Sequence, residues 1–203
     1  MSEREPRTDP LSQGAGRLEA FSDAVMAVII TILALELRPP QGPALADVKD
    51  ALPDLFIYVL SFAFIALYWN NHHHLLRATT RISGAVMWAN MFLLFWLSLI
   101  PVLTEWLHDE HNYRYAIPAA AFGVVALLAG FAYFLLVRAL IQANGRDSAL
   151  AQAVASDFKG IISLVIYAAG VALAFVWVGI SYTLYVLVAV IWLIPDRRFT
   201  RST

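Results

Sequence analysis

The 203-residue chain has no cysteine. That absence excludes disulfides, thiolate metal centres and cysteine nucleophiles, and it leaves the redox compartment unread. Charge is also scarce: 14% of residues are charged and 60% hydrophobic, where a soluble domain carries about 25% charged residues. There is no Gly-rich phosphate loop, no Gly-x-Ser-x-Gly and no His-Glu-x-x-His, so the usual sequence grounds for an enzyme are missing. No Asp or Glu occurs between Asp54 and Glu105. What fills the space is apolar. A mean hydropathy of +0.67 and repeated long apolar runs place the chain in the membrane class.

Six spans are expected, which makes the fold class an all-α integral membrane protein. They cover about 17–37, 53–76, 84–107, 116–143, 158–177 and 180–195. Arg38-Pro39-Pro40 stops the first, because proline cannot continue the hydrogen-bond ladder. Pro53 suits the first turn of the second. Pro101 is placed to kink the third, and Asn144-Gly145 to end the fourth. The apolar stretch from Gly160 to Ile194 is too long for one crossing and is divided near Val178-Gly179-Ile180-Ser181. Residues 1–16 read as a disordered cytoplasmic tail without the apolar core of a signal peptide, and 196–203 as a second cytoplasmic tail. Ser156-Asp157 reads as an N-cap for the fifth span.

Basic residues give the orientation. With the N-terminus inside, eleven of the 14 Lys and Arg residues fall on inner segments, and only Arg38, Lys49 and Arg114 lie outside. Both termini are therefore expected in the cytoplasm, with the protein multi-pass in the cell (inner or plasma) membrane. Basic residues scattered along one membrane face offer nucleic acid no footprint. The outer loops are acidic, with Glu36, Asp47, Asp50, Asp54, Glu105, Asp109 and Glu110. Glu36 directly follows the first apolar run and is the outer carboxylate best placed to attract cations. Trp106, Tyr113, Trp177 and Trp192 suit interfacial belts.

The first span holds the most information. From Ala24 to Leu35 only Thr31 is polar, and a helix over 17–37 is about 31 Å long, enough to cross the hydrocarbon. Yet its inner turns carry Arg17, Glu19, Ser22 and Asp23. A charge at membrane depth is expensive, so Asp23 must be functional or paired within the bundle. At about 100° per residue, Val28, Ile32 and Leu35 share a stripe roughly 60° wide. Arg17, Phe21 and Ala24 extend it; Asp23, Met26, Ile30 and Leu33 fall on the other side.

The densest polar cluster is Trp69-Asn70-Asn71-His72-His73-His74. Three consecutive histidines fan out around a helix rather than converge, so no metal site is expected from them. With the second span ending inside, these residues lie at the depth of Asp23, Trp88 and Asn90. Indole, imidazole and amide groups can each satisfy a buried carboxylate. The expectation is a network in which Ser22 and Asp23 tie the first span to Trp69, His72, His73, Trp88 and Asn90.

Arg17-x-x-x-Phe21-Ser22-Asp23, followed by its apolar run, resembles the signature of the transmembrane protein 175 family of potassium channels. Trp69-x-x-His72-His73 and the Trp88/Asn90 pair resemble the family more loosely, and the last three spans agree only in number and hydropathy. The resemblance implies a homotetramer in which the first helix lines the pore at the axis. It also implies Val28, Ile32 and Leu35 as stacked apolar constrictions, with Thr31 the nearby hydroxyl. The permeant ion would be potassium in preference to sodium, in a leak-like channel with a hydrophobic gate, no cofactor and no resident metal. A different class stays open: a proton- or metal-coupled carrier or enzyme built on Asp23 and His72–His74.

Overall fold

The computed structural model describes residues 10–145, 147–148, 150–151 and 158–193. These residues form helices α1 (Pro10–Glu36), α2 (Leu45–Asp50), α3 (Leu52–Arg77), α4 (Gly84–Ser98) and α5 (Ile100–His108). A 3₁₀ turn (Asp109–Arg114) then leads to α6 (Ala116–Asn144), α7 (Phe158–Leu173) and α8 (Val178–Leu193). Among the described residues, four stretches are long and apolar enough to cross a membrane: Gly14–Glu36, Leu45–Arg77, Gly84–His108 and Ala116–Asn144. The last two helices have 16 residues each, about 24 Å at 1.5 Å per residue.

Local chemistry sets the helix ends. Pro53 sits in the first turn of α3, where its missing N–H is no loss. Ser83 caps α4, its hydroxyl accepting from the Val86 amide at 3.3 Å. The third span is two helices rather than one, broken at Leu99. Pro101 cannot donate back to Leu97, and the Leu99 amide turns instead to the Trp96 carbonyl at 3.3 Å. Gly145 closes α6 at φ +96°, a conformation that favours glycine.

Three expectations about boundaries are corrected. Residues 10–16, read as part of a disordered tail, are the first turns of α1, with Pro10 as the opening residue; residues 1–9 lie outside the described part. The loop 38–51 contains the short helix α2, whose start is fastened by Asp47 Oδ2 accepting from the Ala44 amide at 2.9 Å. The turn between the last two helices comes earlier than expected, at residues 174–177, so Gly179 and Ser181 are helical. A β-carbon on Gly179 would stand 2.8 Å from the Trp177 ring, so the glycine makes room for the indole. Ser181, fully buried, donates to the Gly170 carbonyl at 2.7 Å and ties the hairpin across that turn. Ser156, Asp157 and the tail 196–203 lie outside the described residues.

Helices in lipid gain little from burying apolar surface against one another; close approach of small residues and interhelical hydrogen bonds hold them. Helix α6 shows the first device. Ala119, Ala120, Gly123, Ala126, Ala129 and Ala132 are all buried, and α4, α5, α7 and α8 pack around them. Tyr185 of α8 lies against both Gly123 and Gly170 and donates to the Ala119 carbonyl at 3.1 Å. The second device recurs at Ser61–Thr104 (2.7 Å, α3 to α5) and Trp192–Ser163 (2.9 Å, α8 to α7). Trp192, expected in an interfacial belt, thus spends its indole N–H inside the bundle. Helix α1 packs chiefly on α3, α4 and α5.

Candidate functional site

Helix α1 has two unlike faces. Ser22, Met26, Ile29 and Leu33 are buried to 4% exposure or less. The other face is left uncovered by the chain's own helices: Phe21 is 48% exposed, Val28 56%, Ile32 38% and Leu35 84%. Arg17, Ala24 and Thr31 are exposed on the same side, and Glu36 is half-buried at its end. The Thr31 hydroxyl donates to the Val28 carbonyl at 2.8 Å, which leaves its oxygen free to accept from the uncovered side.

Behind α1 runs a chain of buried hydrogen bonds in which each group dictates the role of the next. The Leu18 carbonyl can only accept, so Ser22 Oγ donates to it at 2.8 Å. Ser22 Oγ then accepts from Asn90 Nδ2 at 2.9 Å. That turns Asn90 Oδ1 toward His72, whose Nε2 lies 2.7 Å away and must carry the proton. Ser22, Asn90 and His72 are all fully buried. Three helices, α1, α4 and α3, are thereby joined through side chains with no water between them.

A second, more open cluster lies one turn away. Trp69 Nε1 donates to Asp23 Oδ1 at 3.0 Å, so the carboxylate at membrane depth has a partner on α3. The Trp69 ring stacks on His73, with centroids 5.7 Å apart and planes 23° apart. His73 Nδ1 is 2.9 Å from Glu19 Oε1, and Arg77 Nε is 3.8 Å from the same oxygen. Glu19 and Asp23 are four residues apart and so share one face of α1.

Of the residues expected in the network, Ser22, Asp23, Trp69, His72, His73 and Asn90 meet. Trp88 does not: it is 78% exposed, pointing off α4 away from Asn90, two residues along. His74 is exposed and touches only the His73 ring edge among the described contacts. Glu19, named above only as an inner-turn charge, joins this cluster, and its i, i+4 spacing to Asp23 is the sequence signal for it. Asn144, expected only as a helix stop, has a second role. In fact Asn144 Oδ1 accepts from the Thr80 amide (3.0 Å), the Thr80 hydroxyl (3.0 Å) and the Arg81 amide (2.9 Å), and Nδ2 donates to the Arg81 carbonyl (3.1 Å). One side chain on α6 therefore fastens the middle of the connection between α3 and α4, at Thr80 and Arg81.

Residues 17–101, which run from within α1 to the first turn of α5, match the model of the family described as endosomal/lysosomal potassium channel TMEM175. The chain is 44% identical over 187 residues to a potassium channel of Chryseobacterium sp. (strain P1-3), covering 92% of this chain and 96% of that one. It is 35% identical over 91 residues to the human endosomal/lysosomal proton channel TMEM175, covering 37% of this chain and 18% of the human one. Its fold resembles the crystal structure of a lysosomal potassium-selective channel TMEM175 homolog from Chamaesiphon minutus, with a TM-score of 0.71 at 24% identity over 90% of this chain and 97% of that one.

Proposed function

The chain belongs to the TMEM175 family, and on that premise we propose that it is a potassium-selective, leak-like channel whose pore is lined by α1. The family and these relatives are ion channels, not enzymes, and the chain is a multi-pass membrane protein. The observation that carries the finer reading is the two-faced α1. A helix buried on one side and uncovered along Phe21, Val28, Ile32 and Leu35 needs another surface to face. One helix cannot enclose a pore, so α1 must be repeated about an axis, and closed cyclic symmetry is the usual solution.

In a homotetramer of this kind Val28, Ile32 and Leu35 form three stacked apolar rings. Such rings gate by dewetting and strip water from an ion that passes. The Thr31 oxygens supply the polar contact between them, and Glu36 draws cations to the outer mouth. The Ser22–Asn90–His72 chain and the Asp23–Trp69 bond act as positioning contacts: they hold the inner half of α1 at the distance and rotation that the rings require. Arg17 and the other inner basic residues favour an arrangement with both termini in the cytoplasm and the protein in the cell membrane.

The test is a reversal potential from purified protein in a planar bilayer, potassium facing sodium. A shift toward the potassium equilibrium potential that collapses in Ile32→Ala supports both the channel and its pore helix. Full selectivity retained in Ile32→Ala removes α1 from the selectivity mechanism. Absence of current from a folded oligomer leaves the coupled carrier, which saturating flux driven by a pH gradient identifies.

A further inference from the structure

Glu19, Asp23 and His73 each offer one ligating atom, and these atoms all lie within 4.8 Å of one another. We propose that the three form a binding site for a divalent transition-metal ion of the zinc class, which clamps the inner end of α1 to α3. The site lies beside the pore helix and takes no part in the apolar rings, so it goes beyond the channel reading.

The donor set is what such an ion requires. Carboxylate oxygen and imidazole nitrogen bind zinc at about 2.0–2.2 Å, normally with four ligands in a tetrahedron. Donors around one ion then stand about 3.4 Å apart. Here His73 Nδ1 and Glu19 Oε1 are at 2.9 Å, and the widest separation in the trio is within 4.8 Å. The excess of about 1.4 Å over that spacing is what rotation of the side chains has to close. Two carboxylates and one imidazole leave the fourth position to water, and the site is open to it, since the Glu19 and His73 side chains are 22% and 23% exposed.

Two further observations point at a ligand. His73 Nδ1 is shut off from solvent and has no well-directed hydrogen bond among the described residues, even with Glu19 Oε1 so near. That nitrogen is held close to the carboxylate but out of line for a proton. Trp69 supports both sides of the site: its indole N–H holds Asp23 Oδ1 at 3.0 Å, and its ring stacks on His73. Partners that orient ligands in this way raise metal affinity 10- to 100-fold in known sites. Arg77 is the competing cation. At 3.8 Å from Glu19 and 70% exposed, it can swing into solvent when the ion enters, at little cost for a surface ion pair.

The experiment uses the full-length, tag-free oligomer, stripped with EDTA and titrated with Zn²⁺. We expect one ion per chain by elemental analysis, together with a rise in thermal midpoint. His73→Gln and Glu19→Gln each remove a ligand and should weaken binding by at least about 100-fold, the upper end of what loss of an orienting partner costs, and abolish the thermal shift. Each variant is compared with the wild type for oligomer size and midpoint before metal is added. X-ray absorption at the zinc edge of the wild type does not depend on the variants folding, and should read one imidazole per ion. No binding to the wild type, stoichiometric binding that survives both substitutions, or an ion carrying no imidazole overturns the proposal. None of these readouts depends on which ion the channel conducts.

Discussion

Replacing Asn90 by alanine removes the side chain that touches both α1 and α3 from within α4. In the native protein Asn90 Nδ2 reaches Ser22 Oγ at 2.9 Å and Asn90 Oδ1 receives His72 Nε2 at 2.7 Å, with all three residues fully buried. The two ends are affected unequally. Ser22 still donates to the Leu18 carbonyl and loses only a bond it received. His72 is left with an N–H and no acceptor, at about 1–3 kcal/mol. Moving the proton to Nδ1 does not rescue it, because that nitrogen is also buried and has no hydrogen-bond partner among the described residues. Interhelical hydrogen bonds in a membrane average about 0.6 kcal/mol and reach about 1.7; two are lost here, which places the whole loss near 1–3 kcal/mol. In Ser22→Ala the Asn90 amide is stranded instead, at about 1 kcal/mol. The double variant strands less than the two singles together, so a coupling of about 0.5–1.5 kcal/mol is expected. The assay is unfolding of the purified oligomer by SDS titration, followed by tryptophan fluorescence at fixed protein and lipid concentration. An Asn90→Ala midpoint within about 0.5 kcal/mol of wild type, or strict additivity with Ser22→Ala, refutes the relay from the Leu18 carbonyl to His72.

Other predictions follow from packing. Gly123→Ala puts a β-carbon 2.6 Å from Tyr185 Cζ and 2.8 Å from Val171 Cγ2. Overpacking of this kind destabilises by about 1–3 kcal/mol, which thermal unfolding will show; Gly14→Ala, inside α1 with nothing within 4 Å, should not lower the midpoint and should raise it slightly, since alanine is the better helix former. Asn144→Ala removes every bond between α6 and the 80–81 backbone made by this side chain. It should raise amide hydrogen exchange across residues 78–83 while the helix cores keep their protection, and equal exchange there would show that the clamp is dispensable.

Much of the helical map is legible from local signals. Pro53, Ser83, Pro101 and Gly145 act within a turn of their own backbone, so their effects need no knowledge of neighbours. The first span also disclosed its two faces, because Ser22 and Asp23 are polar residues in an otherwise apolar run and mark the side that needs partners. Helix α6 disclosed nothing comparable. From Ala116 to Val137 it carries no charged or amide side chain, and periodicity cannot choose a face without such a contrast. Its buried stripe of alanine and glycine emerged only when α4, α7 and α8 were packed on it.

At the site the division is similar. Span boundaries and the rise per residue, both read along the chain, lead one to expect a carboxylate, a serine, an asparagine, an indole and several histidines at one height in the bundle. Which of them meet depends on the packed helices. Asn90 turns inward to Ser22 and His72, while Trp88, two residues earlier, turns out. Glu19, rather than a second histidine, stands against His73. Depth along a helix is a one-dimensional quantity carried by the chain. Azimuth between helices depends on how side chains on several of them interlock, and that information belongs to the packed bundle.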